Sequence, residues 1–162
     1  MAATSVHMRI LVQIRTDIRA LNLSWVTPDQ IVIVPVPEAA PIYVDDKHPA
    51  LSISPVGREV FGDGTNESDD IGYPVTLAIH DAAHGNDAQE SVDAWLDTRL
   101  VWREELIDKY SHARISGITG TANAFDTVIE PGPVFDVFAW HQKARAVSVV
   151  NLRCQVRKMR RV

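Results

Sequence analysis

YPVTLAIH, Tyr73–His80, is the stretch that decides the fold. Tyr73, Val75, Leu77 and Ile79 fall on every second residue, and smaller or polar residues lie between them. An extended chain turns successive side chains to opposite faces, so this spacing predicts a central β-strand with one face in a core. A strand needs partners and a cover, and the flanking sequence supplies both.

Upstream, Val6, Ile10, Leu11, Ile14, Ile18 and Leu21 recur at steps of three and four, with Arg9, Arg15, Asp17 and Arg19 between them. That period predicts an amphipathic helix from Ser5 to Asn22. IVIVPVP, Ile31–Pro37, reads as a strand. Pro35 and Pro37 have no amide hydrogen to donate, so pairing must stop there or lie on an edge. LSISPVGREVF holds a second strand, broken by Pro55. Phe61–Gly72 is rich in Gly and Asp and lacks periodicity, which predicts a loop or a long hairpin tip.

Downstream, Asp87 and Glu90 have the spacing of a capping box, with Asp87 as N-cap and Glu90 at the third helical position. The helix that follows runs to His112, its stripe traced by Val92, Trp95, Leu96, Leu106, Ile107 and Tyr110, with Leu100 near it. Gly117–Ala124 reads as a loop, FDTVIEP and VFDVFAW as short strands, and His141–Ala146 as a connector. The last strand, Ser148–Val156, places Ser148, Val150, Leu152, Cys154 and Val156 on one face. Asn151, Arg153, Gln155 and Arg157 take the other. The sum is one α+β domain over residues 1–162, a mainly antiparallel sheet packed by two amphipathic helices in the order α-β-β-β-α-β-β-β.

A chain of 162 residues with 46% apolar and 23% charged residues has the balance of a globular domain. Its net charge of −5 gives no overall attraction to nucleic acid. One cysteine, Cys154, excludes an intramolecular disulfide and a Cys-rich zinc site. Its place on the apolar face predicts an unreactive thiol. Arg9, Gln13, Arg15 and Asp17 interrupt any signal-peptide core, and no apolar run is long enough to span a bilayer. These features predict a soluble protein made in the cytoplasm.

The candidate chemistry lies in IHDAAHGNDAQES, Ile79–Ser91. His80 and His84, with Asp81, suggest a metal-dependent hydrolase, and His141 or Asp87 could serve as a further ligand. On a helix, histidines four apart share a side; on a strand they sit roughly 13 Å apart. The competing reading makes His80 and Asp81 a water-facing strand end. The acidic loop Asp63–Asp70 fails the calcium-loop pattern, since Ser68 stands where glycine is needed. Gly117–Gly120 follows a helix, whereas phosphate loops precede one. No G-x-S-x-G elbow is present. The expected sites are therefore no catalytic residue, no cofactor and no metal.

Charge is asymmetric. Acids crowd Asp63–Asp108 and bases crowd the C-terminus. That distribution marks Arg153, Arg157, Lys158, Arg160 and Arg161 as candidate interface residues, and Asp97, Glu104 and Glu105 as their acidic counterparts. The last strand carries no interleaved aromatics, so direct nucleic-acid recognition by it is not expected, although it stays the alternative use of the basic end.

YPVTLAIHDA, the helix Ser91–His112 and the closing AVSVVNLRCQVRKMRR, in this order after IVIVPVP, resemble the neck and tail-completion proteins of long-tailed phages, above all the tail terminator family. The Phe61–Gly72 loop and Pro35, Pro37 and Pro41 depart from that layout. The resemblance implies a non-enzymatic virion protein, synthesised in the host cytoplasm and placed in the tail or neck. It implies a ring of copies, six in that family, that caps the tail tube protein, stops its growth and meets the head connector. Heterologous contacts between acidic and basic surfaces would close such a ring, and the long loops would order on assembly.

Overall fold

The fold is that of a computed structural model, which describes residues 5–45, 48–62, 64–65, 67–85 and 89–160. The alternating stretch forms the core of β4, which runs over fifteen residues, Ser68–Ala82. Ile71, Tyr73, Val75, Leu77 and Ile79 are all buried on one face. β6, Arg145–Met159, pairs with β4 antiparallel along its whole length, from Ser68 opposite Met159 to Ala82 opposite Arg145. Val150, Leu152, Cys154 and Val156 lie on the same buried face.

The other strands attach to this central pair. β5, Ala122–Glu130, pairs with β6 antiparallel and carries a bulge between Ala124 and Asp126. On the far side, β2, Ala50–Ser54, pairs antiparallel with the second half of β4. β1, Ile31–Ile33, adds parallel to β2 as the edge. β1 stops two residues before Pro35, as a residue without a donor requires. The two-residue β3, Val60–Phe61, pairs with Ile71 and Gly72 of β4. The order is β1-β2-β4-β6-β5, a mostly antiparallel sheet packed by helices: an α+β fold.

α1, Val6–Ala20, buries Ile10, Leu11, Ile14 and Ile18 against the apolar face. Ser5 caps it, its Oγ accepting from the Met8 amide at 3.1 Å. Asn22, with φ of 49°, turns the chain just past its end. α2, Val92–Tyr110, lies over the β5–β6 side of the same face and contributes Leu106 and Tyr110 to the core. The opposite face of the sheet is covered at one end by α3, Val137–Lys143, where Ala139 meets Ala78 and Val147.

Several expectations change. VFDVFAW is not a strand. Asp136 Oδ1 accepts from the amides of Phe138 and Ala139, at 2.9 and 3.2 Å, and this cap starts α3 despite the strand-favouring Val137 and Phe138. Phe135 alone keeps a bridge to the sheet, opposite Ser148. The connector His141–Ala146 is the end of that helix, a left-handed Ala144 and the start of β6. α2 is capped by Ser91, whose Oγ accepts from Ala94 N, so Glu90 lies before the helix and the capping box does not form. Asp87 lies outside the described residues. Half of the expected Phe61–Gly72 loop is strand: β4 begins at Ser68, and Gly62 N donates to Asp70 O at 2.8 Å.

Candidate functional site

His80 does not face water. Its position in β4 turns it to the face opposite Ile79, where it is 3% exposed and its Nε2 lies 2.8 Å from Ser52 Oγ on β2. Burial pulls its pKa down to about 4, and Arg145 and Lys143 add to the shift. The imidazole is therefore neutral at pH 7. A Ser–His pair at this distance suggests nucleophilic chemistry. Ser52, however, is fully buried, so no substrate carbonyl reaches its oxygen.

Asp81, the next residue, takes the opposite side of the strand and meets α2. Its Oδ2 accepts from Arg99 Nε at 2.8 Å and Nη2 at 2.7 Å. Arg99 Nη1 also reaches Glu90 Oε1 at 3.1 Å, and its guanidinium lies against the rings of Trp95 and Trp102. The expectation of a solvent-facing strand end is thus corrected at both residues. Two neighbours of opposite parity are each buried by a different layer.

His84 lies past the end of β4. Its Nε2 is 3.0 Å from the Glu90 carbonyl oxygen, and its ring meets Trp95 edge-on. His80, Asp81 and His84 are thus each engaged with a separate neighbour. His141 sits in the last turn of α3 beside Val92 and Leu96. Among the described residues no three His, Cys, Asp or Glu side chains are grouped so that they could hold a metal ion. Cys154 is buried, and burial pushes its thiol up to about 12.

The basic strand end meets acids of its own chain. Arg157 donates from Nε and Nη2 to the two carboxylate oxygens of Asp70, both at 2.8 Å. Arg160 donates to Asp69 Oδ1 at 2.6 Å, and Arg153 pairs with Glu130. These partners hold the Asp69 and Asp70 carboxyls below their usual range. Lys158 is exposed, and Arg161 lies outside the described residues. On α2, Asp97 and Glu104 are exposed, and Glu105 accepts from Trp25 Nε1 at 2.9 Å. The charge asymmetry of the sequence is thus partly closed within the molecule, because β4 and β6 lay Asp69–Asp70 beside Arg157–Arg160.

What sequence reasoning missed is apolar. β5 ends opposite Asn151, so the first part of β6 has no strand beyond it. There Trp95 of α2 stacks on Phe135 with ring centroids 6.0 Å apart and meets Trp140 of α3 edge-on at 5.6 Å. Outside this cluster α2 and α3 leave a shelf: Val92 is 57% exposed, Leu96 39%, Val137 67% and Phe138 65%. A groove runs between the two helices, lined by Val92, Leu96, Phe135 and Val137. The stripe of α2 was legible, but not that Val92 and Leu96 stay exposed while Leu106 and Tyr110 enter the core. Two smaller apolar patches, Ile42–Tyr43 and Val60–Phe61, are also exposed. No helix among the described residues is long and apolar enough to cross a membrane. No protein-family model matches the chain, and no curated protein matches it.

Proposed function

We propose that this chain is a structural assembly protein of a phage-like virion, a tail terminator or neck protein that forms a ring of its own copies at the head–tail junction. The observation that carries the reading is the shelf of Val92, Leu96 and Val137, which line one groove between two adjacent helices, with Phe138 exposed on the second. A contiguous apolar surface of this kind marks an interaction site in a soluble protein, and its proposed occupant is a second copy. A ring contact is heterologous and needs two different patches on each copy. Ile42–Tyr43 and Val60–Phe61 offer the second one.

The charge arrangement adjusts the reading. With Arg153, Arg157 and Arg160 paired inside the chain, apolar burial supplies the association energy, and exposed Asp97, Glu104 and Lys158 set orientation. The tail tube protein and head connector are the further partners, as the resemblance implies. Such a role uses no cofactor and no reaction. The test is imaging of the purified protein, alone and with tail tubes. Closed rings or capped tube ends support the proposal, and a monomer that never binds a tube end contradicts it.

A further inference from the structure

The two smaller apolar patches are not equivalent, because the sheet holds them at different ends of the molecule. Val60 and Phe61 pair with Gly72 and Ile71, near the start of β4, where β6 ends. The α2–α3 groove lies at the other end, where Phe135 bridges Ser148 and Ser148 stands opposite Ile79. The steps along β4 from Ile71 to Ile79 put these points roughly 26 Å apart. β3 also flanks β4 on the side away from β6, whereas Phe135 flanks β6 on the side away from β4. Phe61, 69% exposed, therefore cannot reach the groove of its own chain. Ile42–Tyr43 sits at the groove's own end, since Pro41 lines a cavity with His80, Asp136 and Ala139. Charge separates the two ends as well. Val92 and Leu96 line the groove, and Asp93 and Asp97 form the next row of α2, exposed and without an ion pair among the described residues. Asp136 adds a third carboxylate to the lining, against the imidazole of His141. Beside β3, Arg58 is exposed and also without an ion pair among the described residues, while Glu59 faces His7 of α1 at 4.0 Å. Glu67 and Lys158, further along that end, offset each other.

We propose that Phe61 of one copy, with Val60, seats in the α2–α3 groove of the next copy, where Arg58 meets Asp93 and Asp97. This contact rests on the self-association proposed above and specifies how it is built. The two surfaces lie at opposite ends of the molecule, so the contact is head-to-tail. Each copy gives one Phe61 and receives one, and the series closes into a ring where the rotation between copies allows. Apolar burial supplies the affinity, and Arg58 with its acids fixes the register.

The test is sedimentation velocity of full-length Phe61→Asp, of Val137→Asp/Phe138→Asp, and of an equimolar mixture of the two, with circular dichroism to check that each variant is folded. All three substituted side chains are exposed, so the fold does not depend on them. Each variant alone should be monomeric, its self-association weakened at least about tenfold. One variant keeps an intact groove and the other an intact Phe61, so the mixture should form a 1:1 dimer and nothing larger. Arg58→Glu should weaken association at low salt, and adding Asp93→Lys/Asp97→Lys to the same chain should restore it. A Phe61→Asp variant that assembles like the wild type, while the groove variant does not, overturns this contact and leaves the shelf as the assembly surface. A mixture that stays monomeric overturns it too. A wild type that is monomeric at every concentration overturns both this contact and the self-association on which it rests.

Discussion

Protonating His80 would place a charge between Ser52 and two cations in a buried site, which is why its pKa falls from 6.5 to about 4. The consequence for stability has a definite sign. Between those two values the unfolded chain holds a proton that the folded chain lacks, so acid favours unfolding. His80 contributes fully above pH 6.5, loses its contribution as pH falls toward 4, and adds no further slope below that. The loss amounts to up to about 3 kcal/mol. Urea unfolding between pH 7 and pH 4 should show this slope in the wild type and a flatter one in His80→Gln. Equal slopes would mean that His80 is not buried as a neutral group. Arg99 offers a second residue-scale test. Its removal leaves the Asp81 carboxylate buried and unpaired, so Arg99→Ala should cost about 3 kcal/mol in the same assay. The double variant Asp81→Leu/Arg99→Leu should recover much of that loss, because it buries no lone charge.

At the level of elements, α3 depends on one carboxylate. Asp136→Ala removes the acceptor for two amides and should cost about 1 kcal/mol, with faster amide exchange confined to residues 137–143. Slower exchange there, or none of this cost, would show that packing of Ala139 alone holds the helix. The same element shows where reading the sequence stops. β4 from Tyr73 onward, β6 and α1 were legible because their apolar residues keep a strict period over several turns or pleats. α3 was not, because Val137, Phe138 and Trp140 favour strands individually. The signal against them was a single Asp in front of a seven-residue segment. His80 failed for a related reason. Parity placed it on the face opposite Ile79, but only the packing of α3 and the Pro37–Ile42 turn buries that face. Asp81 faces α2, and nothing in β4 itself announces Arg99, eighteen residues later.

For the whole molecule, the balance between charge and apolar surface decides what the protein can do. Asp69 and Asp70 occupy Arg160 and Arg157, so most of the basic end is spent on joining the end of β6 to the start of β4. Association through the α2–α3 shelf should accordingly persist at high salt, since apolar burial is not screened as exposed ion pairs are. The candidate metal residues could be located in the sequence, but their engagements come from different elements, β2 for His80 and α2 with Glu90 for Asp81 and His84. The shelf itself was half legible, as a stripe on α2 whose lack of a cover only the tertiary structure reveals. The most direct measurement is sedimentation velocity of the wild type and of Val137→Asp/Phe138→Asp, at low and high salt. A defined oligomer is expected for the wild type at both salts and a folded monomer for the variant. A wild-type monomer at every concentration, or an oligomer that the two substitutions leave intact, would contradict it.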